Sequence, residues 1–393
     1  MSKKIFNTFF FITMVLISFT ANLSKDSMLI YLNDDSWITN QIAEKIRSIG
    51  NYMYNIQIEK AMSNSTYTSD YDVILNIFTN SKENISIAFG YFQGGGFSYS
   101  DFTGETSDWV ERFSVKTLET ISFQRFLYDE SWDVLQLTFW KGVDEYPIFQ
   151  DNKLYFISDR YIGNREVYIF DFEDGSEDKI SLEYSAEYFP DISPNNELLA
   201  FQTTMFGKWD VVLYDLKTKS INRISPSDKN AYSPYFYDNT LLIFTMEEDS
   251  GQSTEVWMYD IYFDKLEKLT DSKNLLKFRP VKWDGNKISF YAVDSKNADM
   301  NIYYMDENNK IHILTNDTYQ TDNWSNGSEL LVYSEFNGRY FTINEYINGQ
   351  KNNVSKSITN DSFYPSYSPD KKFIFFTNYH SESDIFVINR DNL

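Results

Sequence analysis

The sequence predicts a mainly β protein, in which a six-bladed β-propeller follows a small α/β domain. Three observations predict this fold class. Aromatic residues make up 18% of the chain, a surplus that suits packed β-sheets better than helical bundles. Short apolar runs recur with a period in the low forties over 132–393. A mixed pattern of strands and helices precedes them over 27–130.

The composition excludes several classes of protein and site. The 393 residues include 57 acidic and 35 basic ones, which gives a formal net charge of −22. Nucleic acids and anionic lipids are bound by positive surfaces, so we expect no nucleic-acid partner. The chain has no cysteine, which excludes disulfides, zinc–thiolate sites and cysteine nucleophiles.

The first residues have the pattern of an export signal. Lys3 and Lys4 precede an apolar stretch over 9–19, and small or polar residues follow it. This stretch is shorter than the roughly 20 apolar residues that a membrane-spanning helix needs. We therefore expect a signal peptide over 1–21, a periplasmic location and no stable membrane insertion after cleavage. An uncleaved N-terminal anchor is the alternative.

The domain over 27–130 is predicted to be a small sheet covered by two helices. Its first strand is expected over 28–32, and isoleucines at helical spacing between 38 and 49 predict the first helix. The other predicted elements are strands over 52–58, 73–78 and 85–89, a turn at 94–96 and a helix from Ser107 or Asp108.

The region over 132–393 repeats one plan six times. Each repeat has a start that usually contains proline, an apolar run, an acidic–apolar–aromatic run and a closing Leu/Ile–Ser/Thr pair, which we interpret as strands A to D of a blade. The starts lie at positions 147, 190, 234, 280, 323 and 365. The last repeat lacks strand D, but 134–138 carries the same ending. We predict that 134–138 pairs with 384–388 and closes the ring, which removes the open sheet edges.

The repeat resembles that of a known family. It is clearest in Tyr364–Asp370, Phe156–Asp171 and Phe189–Phe201. A Tyr-Pro step, a Ser-Pro-Asp turn, a hydrophobic strand and a (Glu/Asp)-(Ile/Val)-Tyr-x-x-Asp run together resemble the TolB-type propeller repeat. The order of signal peptide, α/β domain and propeller is also similar to that of the TolB family. Repeat five departs from the pattern, with Asn323-Trp324 where proline is expected.

The resemblance implies a function in the bacterial envelope. It implies a periplasmic component of a Tol–Pal-type system that binds a peptidoglycan-associated lipoprotein through the propeller. It also implies an inner-membrane Tol protein as a partner of the mature N-terminus. We therefore expect a non-enzymatic, exported protein-interaction scaffold.

The residues themselves point to no catalytic chemistry. The chain lacks a Gly-x-Ser-x-Gly nucleophile elbow, and its two histidines and missing cysteines argue against a transition-metal site. We thus predict no catalytic residues, no metal, no cofactor and no enzyme activity. Two alternatives stay open. The propeller could bind a small molecule or glycan in its channel, which Tyr and Trp pointing inward from strand A would favour. The chain could also be a hydrolase accessory or a degenerate enzyme.

A partner is expected to bind one face of the propeller. Strands alternate in direction within a blade, so the B–C loops, the D–A loops and the starts of strands A share one face. Exposed arginine and aromatic side chains at a ring mouth are common anchors for a protein partner. The candidate partner-binding residues on this face are Arg160, Phe206, Trp209, Asp249, Arg339 and His380.

Overall fold

The computed structural model describes residues 25–61, 70–104, 106–161, 163–182, 184–248, 253–316 and 319–393. The predicted signal peptide over 1–21 lies outside these ranges. Within them, no helix combines the length and the apolar character that crossing a membrane requires.

The N-terminal part of the described chain forms one sheet with two helices. Its strands are β1 (Asp26–Leu32), β2 (Tyr54–Lys60), β3 (Val73–Asn80), β4 (Ile85–Phe92) and β5 (Gly95–Phe102). Its helices are α1 (Trp37–Gly50) and α2 (Ser107–Tyr128). The strand order is β2-β1-β3-β4-β5, and β1 runs parallel to both of its neighbours. The hairpin pairs β3–β4 and β4–β5 are antiparallel.

Capping and apolar spacing explain both helices. The side chain of Ser36 accepts a hydrogen bond from the Thr39 N–H at the start of α1, and Thr106 accepts one from the Trp109 N–H at the start of α2.

The prediction of a turn over 94–96 was wrong in extent, because Gly95 and Gly96 already belong to β5. The alternation of Phe97 and Tyr99 with serines in that strand is a strand signal that the prediction did not use.

The rest of the chain is built from antiparallel strands, which makes the protein mainly β as predicted. A short strand, β6 (Val134–Gln136), follows α2. The first sheet contains β7 (Asp144–Gln150), β8 (Lys153–Ser158), β9 (Glu166–Asp171) and β10 (Glu177–Ile180). The second sheet contains β11 (Glu187–Ile192), β12 (Leu198–Thr203), β13 (Asp210–Asp215) and β14 (Ile221–Arg223).

A larger sheet follows. Its strands are β15 (Ala231–Phe236), β16 (Leu241–Glu248), β17 (Ser253–Asp260), β18 (Lys265–Lys268), β19 (Leu275–Trp283), β20 (Lys287–Asp294), β21 (Met300–Met305) and β22 (Ile311–Ile313). It consists of two antiparallel four-strand sets, β15–β18 and β19–β22. A single parallel pair, Thr254 opposite Leu276, joins the two sets.

Two further four-stranded sheets complete the arrangement. One contains β23 (Gln320–Trp324), β24 (Leu331–Phe336), β25 (Phe341–Ile347) and β26 (Gln350–Asn353). The last sheet contains β27 (Asp361–Tyr367), β28 (Phe373–Tyr379), β29 (Ser383–Asn389) and β6. Where the repeats predict six separate sheets, the described residues of 132–393 thus form four sheets of four strands and one of eight.

The two ends of the repeat region meet in the last sheet. β6 pairs antiparallel with β29, with Val134 opposite Ile388 and Gln136 opposite Phe386. The Leu137 N–H extends the ladder by donating to the Ile385 carbonyl at 2.8 Å. This is the pairing that the Leu-Thr ending over 134–138 predicts.

Helix α2 is packed against the first and last sheets. The ring of Phe123 stacks on that of Phe172 with centroids 4.5 Å apart, and Phe126 lies 4.8 Å from Phe373. These rings belong to one buried cluster that also includes Leu135 and Val387 at the β6–β29 pair. The N-terminal sheet and the antiparallel sheets therefore share a core through α2.

Candidate functional site

The innermost strands share one backbone irregularity. In β7, β11, β15, β19, β23 and β27 the register with the neighbouring strand shifts at a bulge. One non-glycine residue in each bulge has a φ between +50° and +59°. These residues are Tyr146, Phe189, Ser233, Arg279, Asp322 and Tyr364. Positive φ is uncommon outside glycine, and a bulge can re-aim a side chain, so this repeated feature indicates a common role.

Five of these side chains meet at the centre of the ring. We call them the channel cluster: Tyr146, Phe189, Arg279, Asp322 and Tyr364. The ring of Tyr146 lies 4.0 Å from that of Tyr364 and 4.4 Å from that of Phe189. The guanidinium carbon of Arg279 is 5.7 Å from the Tyr364 ring centre, and its Nη1 lies 3.7 Å from the Asp322 carboxylate. Five different strands can bring their side chains into mutual contact only at their common axis.

The channel cluster leaves little space at the axis. A cavity of about 20 Å³ remains beside it, next to Ser233 and Pro280, which is room for one water molecule. A wider cavity of about 290 Å³ lies towards the other end, lined by Tyr235, Trp324 and Tyr367 among others. Tyrosines do point inward from strands A, as the channel-binding alternative requires, but they occupy the channel themselves. The structure therefore does not favour that alternative.

Burial sets the charge state around the channel cluster. Asp191 is buried and accepts a hydrogen bond from the Phe236 N–H at 2.6 Å, and burial raises its pKa to about 7 against the opposing effect of Arg279. Burial also raises the pKa of Asp322, again opposed by Arg279, and that of Tyr364 to about 12. The buried Arg279 guanidinium at the axis thus lies near two carboxyl groups, Asp191 and Asp322, whose raised pKa values favour the neutral form.

Arg160 needs a correction, because it is not exposed at the mouth of the ring. Its side chain is fully buried, with Nη2 2.7 Å from Asp144 and Nη1 3.2 Å from Glu119 and 3.3 Å from Glu177. Glu119 belongs to α2, and that helix covers the connection after β8. Burial raises the pKa of Asp144 to about 7, although Arg160 acts to lower it. Arg160 therefore joins α2 to the first sheet and is not accessible to a partner.

His380 needs a similar correction. Its side chain is 9% exposed, and its ring stacks on that of Tyr52 with centroids 4.2 Å apart. Tyr52 lies between α1 and β2, so the stack joins the N-terminal unit to the last sheet. Nε2 of His380 is 3.4 Å from Asp384, and burial lowers the pKa of the imidazole to about 4.

The other candidates lie on loops. Phe206 is exposed between β12 and β13, with the Arg223 guanidinium carbon 5.0 Å from its ring centre. Trp209 follows on the same connection and is half-buried. Arg339 is exposed on the turn between β24 and β25, in a different sheet. Asp249 lies outside the described residues. Phe206 and Trp209 thus lie on the same connection, whereas Arg339 lies in a different sheet and is not brought together with them.

The structure places Trp209 in a group at the mouth of the channel whose other members the sequence reasoning missed. The Trp209 ring meets that of Tyr188 edge-on at 5.3 Å, and the Arg165 guanidinium carbon lies 4.8 Å from the Tyr188 ring centre. Arg165 Nη1 is 2.6 Å from the Glu145 carboxylate, which also accepts a hydrogen bond from the Tyr379 hydroxyl at 2.5 Å. We call these five residues the mouth group. Tyr188 lies just before the β11 bulge, a position that is also aromatic in β15, β19 and β27, and this is the signal that could have identified the group.

No set of three His, Asp or Glu side chains in the described ranges is arranged to hold a metal ion. The channel cluster and the mouth group instead contain aromatic rings. Each also contains one guanidinium and a carboxylate that is paired with it. Such groups can contact another molecule by stacking and hydrogen bonding.

Comparison with known proteins identifies the fold. No protein-family model matches the sequence, and no curated protein matches it. The structure is similar to the crystal structure of TolB from Acinetobacter baumannii, with a TM-score of 0.50, 12% sequence identity and 95% of each chain covered. Oligogalacturonate lyase from Vibrio parahaemolyticus has a TM-score of 0.45 and 12% identity, with 66% of this chain and 94% of the lyase covered. Acylaminoacyl peptidase from Pyrococcus horikoshii has a TM-score of 0.45 and 16% identity, with 62% of this chain and 44% of the peptidase covered. At this identity the likeness to TolB shows a propeller fold alone.

Proposed function

We propose that this chain is a non-enzymatic, exported interaction scaffold of the TolB type. It consists of an α/β domain over 27–130 and a six-bladed propeller over 132–393 that is closed by 134–138. The sets β15–β18 and β19–β22 count as two blades, because each repeats the four-strand plan and the strand pairing between them in the described residues is limited to Thr254 opposite Leu276. The similarity to the TolB structure over 95% of each chain supports this organisation.

The proposed partners are proteins of the bacterial envelope. A peptidoglycan-associated lipoprotein binds the propeller, and an inner-membrane Tol protein binds the mature N-terminus, in the periplasm after removal of 1–21. The net charge of −22 supports protein partners over nucleic acid.

The mouth group is the observation that carries the proposal. It places tryptophan, tyrosine and arginine side chains together on the face of the B–C loops, and these are the residue types that contribute most to protein–protein binding. Arg165 is 28% exposed in its side chain and held over Tyr188 by Glu145, so its guanidinium is already oriented. The channel cluster fills the axis below it, so a molecule arriving here meets a surface rather than an opening.

Titration calorimetry with the soluble domain of the peptidoglycan-associated lipoprotein from the same genome tests the proposal. We expect Trp209→Ala and Arg165→Ala each to weaken binding by roughly ten- to one-hundred-fold, as central interface anchors do. Phe263→Ala is the matched control, since Phe263 is 73% exposed on a turn of the opposite face. Absence of binding by the unmodified chain would refute this partner, and an equal effect of Phe263→Ala would refute the location.

Localisation is tested separately. Osmotic-shock fractionation followed by intact-mass measurement is expected to find the chain in the periplasmic fraction without residues 1–21. A full-length chain in the membrane pellet would favour the anchored alternative.

A further inference from the structure

A groove opens on the face opposite the B–C loops, where α2, the first sheet and the last sheet meet. Its volume is about 460 Å³, which lies within the range of roughly 300–1,000 Å³ typical of ligand sites. We call it the seam groove, because β6 and β29 join directly beneath it. Its lining contains no member of the mouth group or the channel cluster.

The floor of the seam groove is aromatic. Phe126 lies 4.8 Å from Phe373 and 5.3 Å from Phe149, while Trp132 stacks on Phe373 at 5.7 Å. The Trp132 indole N–H donates to the Arg125 carbonyl at 3.3 Å, which fixes its orientation. The floor is therefore apolar and preformed before any ligand binds, so it suits an aliphatic or aromatic side chain.

The rim of the seam groove is acidic. Glu130, Asp151 and Asp370 are exposed around it, and Asp391 stands nearby with a 68% exposed side chain. The one lysine that lines the groove, Lys372, lies 3.4 Å from Glu130 and 3.9 Å from Asp391. Negative charge thus exceeds positive charge at the rim.

Lys372 also shows how a cation fits this surface. Its ammonium nitrogen lies 5.4 Å from the centre of the Phe373 ring while Glu130 faces it from the side. An ammonium over an aromatic face with a carboxylate beside it is a favourable arrangement. The remaining carboxylates of the rim, those of Asp151 and Asp370, stand on turns of two different sheets on either side of the floor.

We propose that the seam groove binds a short basic and apolar peptide segment of a partner protein. An apolar side chain of the segment lies on the Phe126–Trp132–Phe373 floor, and flanking lysine or arginine side chains meet Asp151 and Asp370. The rim repels phosphate-bearing ligands, so nucleic acid and anionic lipid are excluded by charge. This site is independent of the mouth group and of the identity of any partner bound there.

Calorimetry with the full chain and a defined probe tests the proposal. The probe is a blocked heptapeptide in which lysine alternates with leucine and phenylalanine, and its control carries glutamate in place of each lysine. We expect the lysine peptide to bind, the glutamate peptide not to bind, and added salt to weaken binding because the rim pairs are exposed. Equal binding of both peptides, or no binding of the lysine peptide, would overturn the proposal.

Variants separate the groove from the overall acidity of the chain. The double variant Asp151→Asn/Asp370→Asn keeps the side-chain shapes and is expected to weaken binding by about five-fold. The matched control, Asp264→Asn/Glu307→Gln, removes two exposed carboxylates from turns of the same face. A similar loss in both variants would show attraction by net charge alone and would overturn the site.

An NMR readout locates the peptide directly. In a spectrum of the nitrogen-15 labelled chain, the indole N–H signal of Trp132 is assigned through Trp132→Phe. We expect this signal to shift on addition of the lysine peptide, while the indole signal of Trp209 stays in place. A shift confined to Trp209 would place the peptide at the mouth group and overturn the proposal.

Discussion

The guanidinium of Arg160 lies 2.7 Å from the carboxylate of Asp144, and neither side chain is exposed to solvent. Glu119 of α2 and Glu177 of β10 complete the cluster around the same guanidinium. Burial of a charge is costly unless the charge is paired. The Arg160 cation therefore helps to hold α2 against the first sheet, together with the stacking of Phe123 on Phe172 and the ion pair of Lys116 with Glu177.

Removal of that cation should destabilise the protein strongly. Arg160→Ala leaves buried carboxylates without their partner, and we expect it to lower the free energy of unfolding by about 3–5 kcal/mol in urea denaturation. Arg47→Ala is the control, because Arg47 pairs with Glu44 on the exposed surface of α1, and it should cost less than about 1 kcal/mol. Equal costs for the two variants would contradict a structural role for Arg160.

The pairing of β6 with β29 should be essential to the antiparallel sheets. Deletion of 384–393 removes most of β29, which leaves β6 without its strand partner and β28 paired only on its β27 side, so we expect a large fall in melting temperature or loss of folding. Deletion of 391–393 removes only residues beyond β29 and should change the melting temperature by a few degrees at most. An unchanged melting temperature in the longer deletion would show that the pairing contributes nothing.

Asp191 should make the stability fall as the pH rises. Burial raises its pKa to about 7 in the folded chain, so between about pH 4 and 7 the folded state holds a proton that the unfolded state releases. Asp191→Asn removes this titration while an amide oxygen can still accept from Phe236. We expect the variant to gain roughly 1–3 kcal/mol relative to the unmodified chain between pH 5 and pH 8. The exposed Asp178→Asn is the control, and a gain of the same size there would contradict the assignment to Asp191.

His380 should act in the opposite direction. Burial lowers its pKa to about 4, so as the pH falls from about 6.5 to 4 the unfolded chain takes up a proton that the folded chain does not. The stability that His380 contributes is therefore lost on acidification. His380→Phe keeps a ring against Tyr52, and its stability relative to the unmodified chain should rise by roughly 1–3 kcal/mol from pH 7 to pH 4.5. The prediction fails if the difference between the two chains is independent of pH, or if His312→Gln shows the same trend.

Repetition made the antiparallel sheets predictable. An apolar run such as Leu198–Phe201 recurs at one place in every repeat, so the order of the strands follows from the repeat. The pairing of 134–138 follows because the last repeat lacks a strand D and this segment has the matching ending. β5 was missed because its two leading glycines were interpreted as part of a turn, although the alternating Phe97 and Tyr99 that follow have high β-propensity.

The site was less predictable, because the repeat pattern describes each sheet but not what lies against it. Arg160 and His380 occupy loop positions that would be exposed on an isolated ring, and only the docking of α2 and Tyr52 buries them. Tyr146 and Tyr364 were recognised as part of a Tyr-Pro repeat marker. Their positive φ, which aims both rings at the axis, is a property of the bulge that the residue types do not reveal.

The β6–β29 pair also bears on how the protein is made. Gln136 and Asp384, which are hydrogen-bonded in the last sheet, lie 248 positions apart in the chain. A ribosome must therefore synthesise the whole intervening segment before the β6 edge finds its neighbour. Contacts of such high sequence separation form slowly, so assembly of the last sheet waits for translation to pass Asn389 while an unpaired edge is exposed to chaperones and proteases.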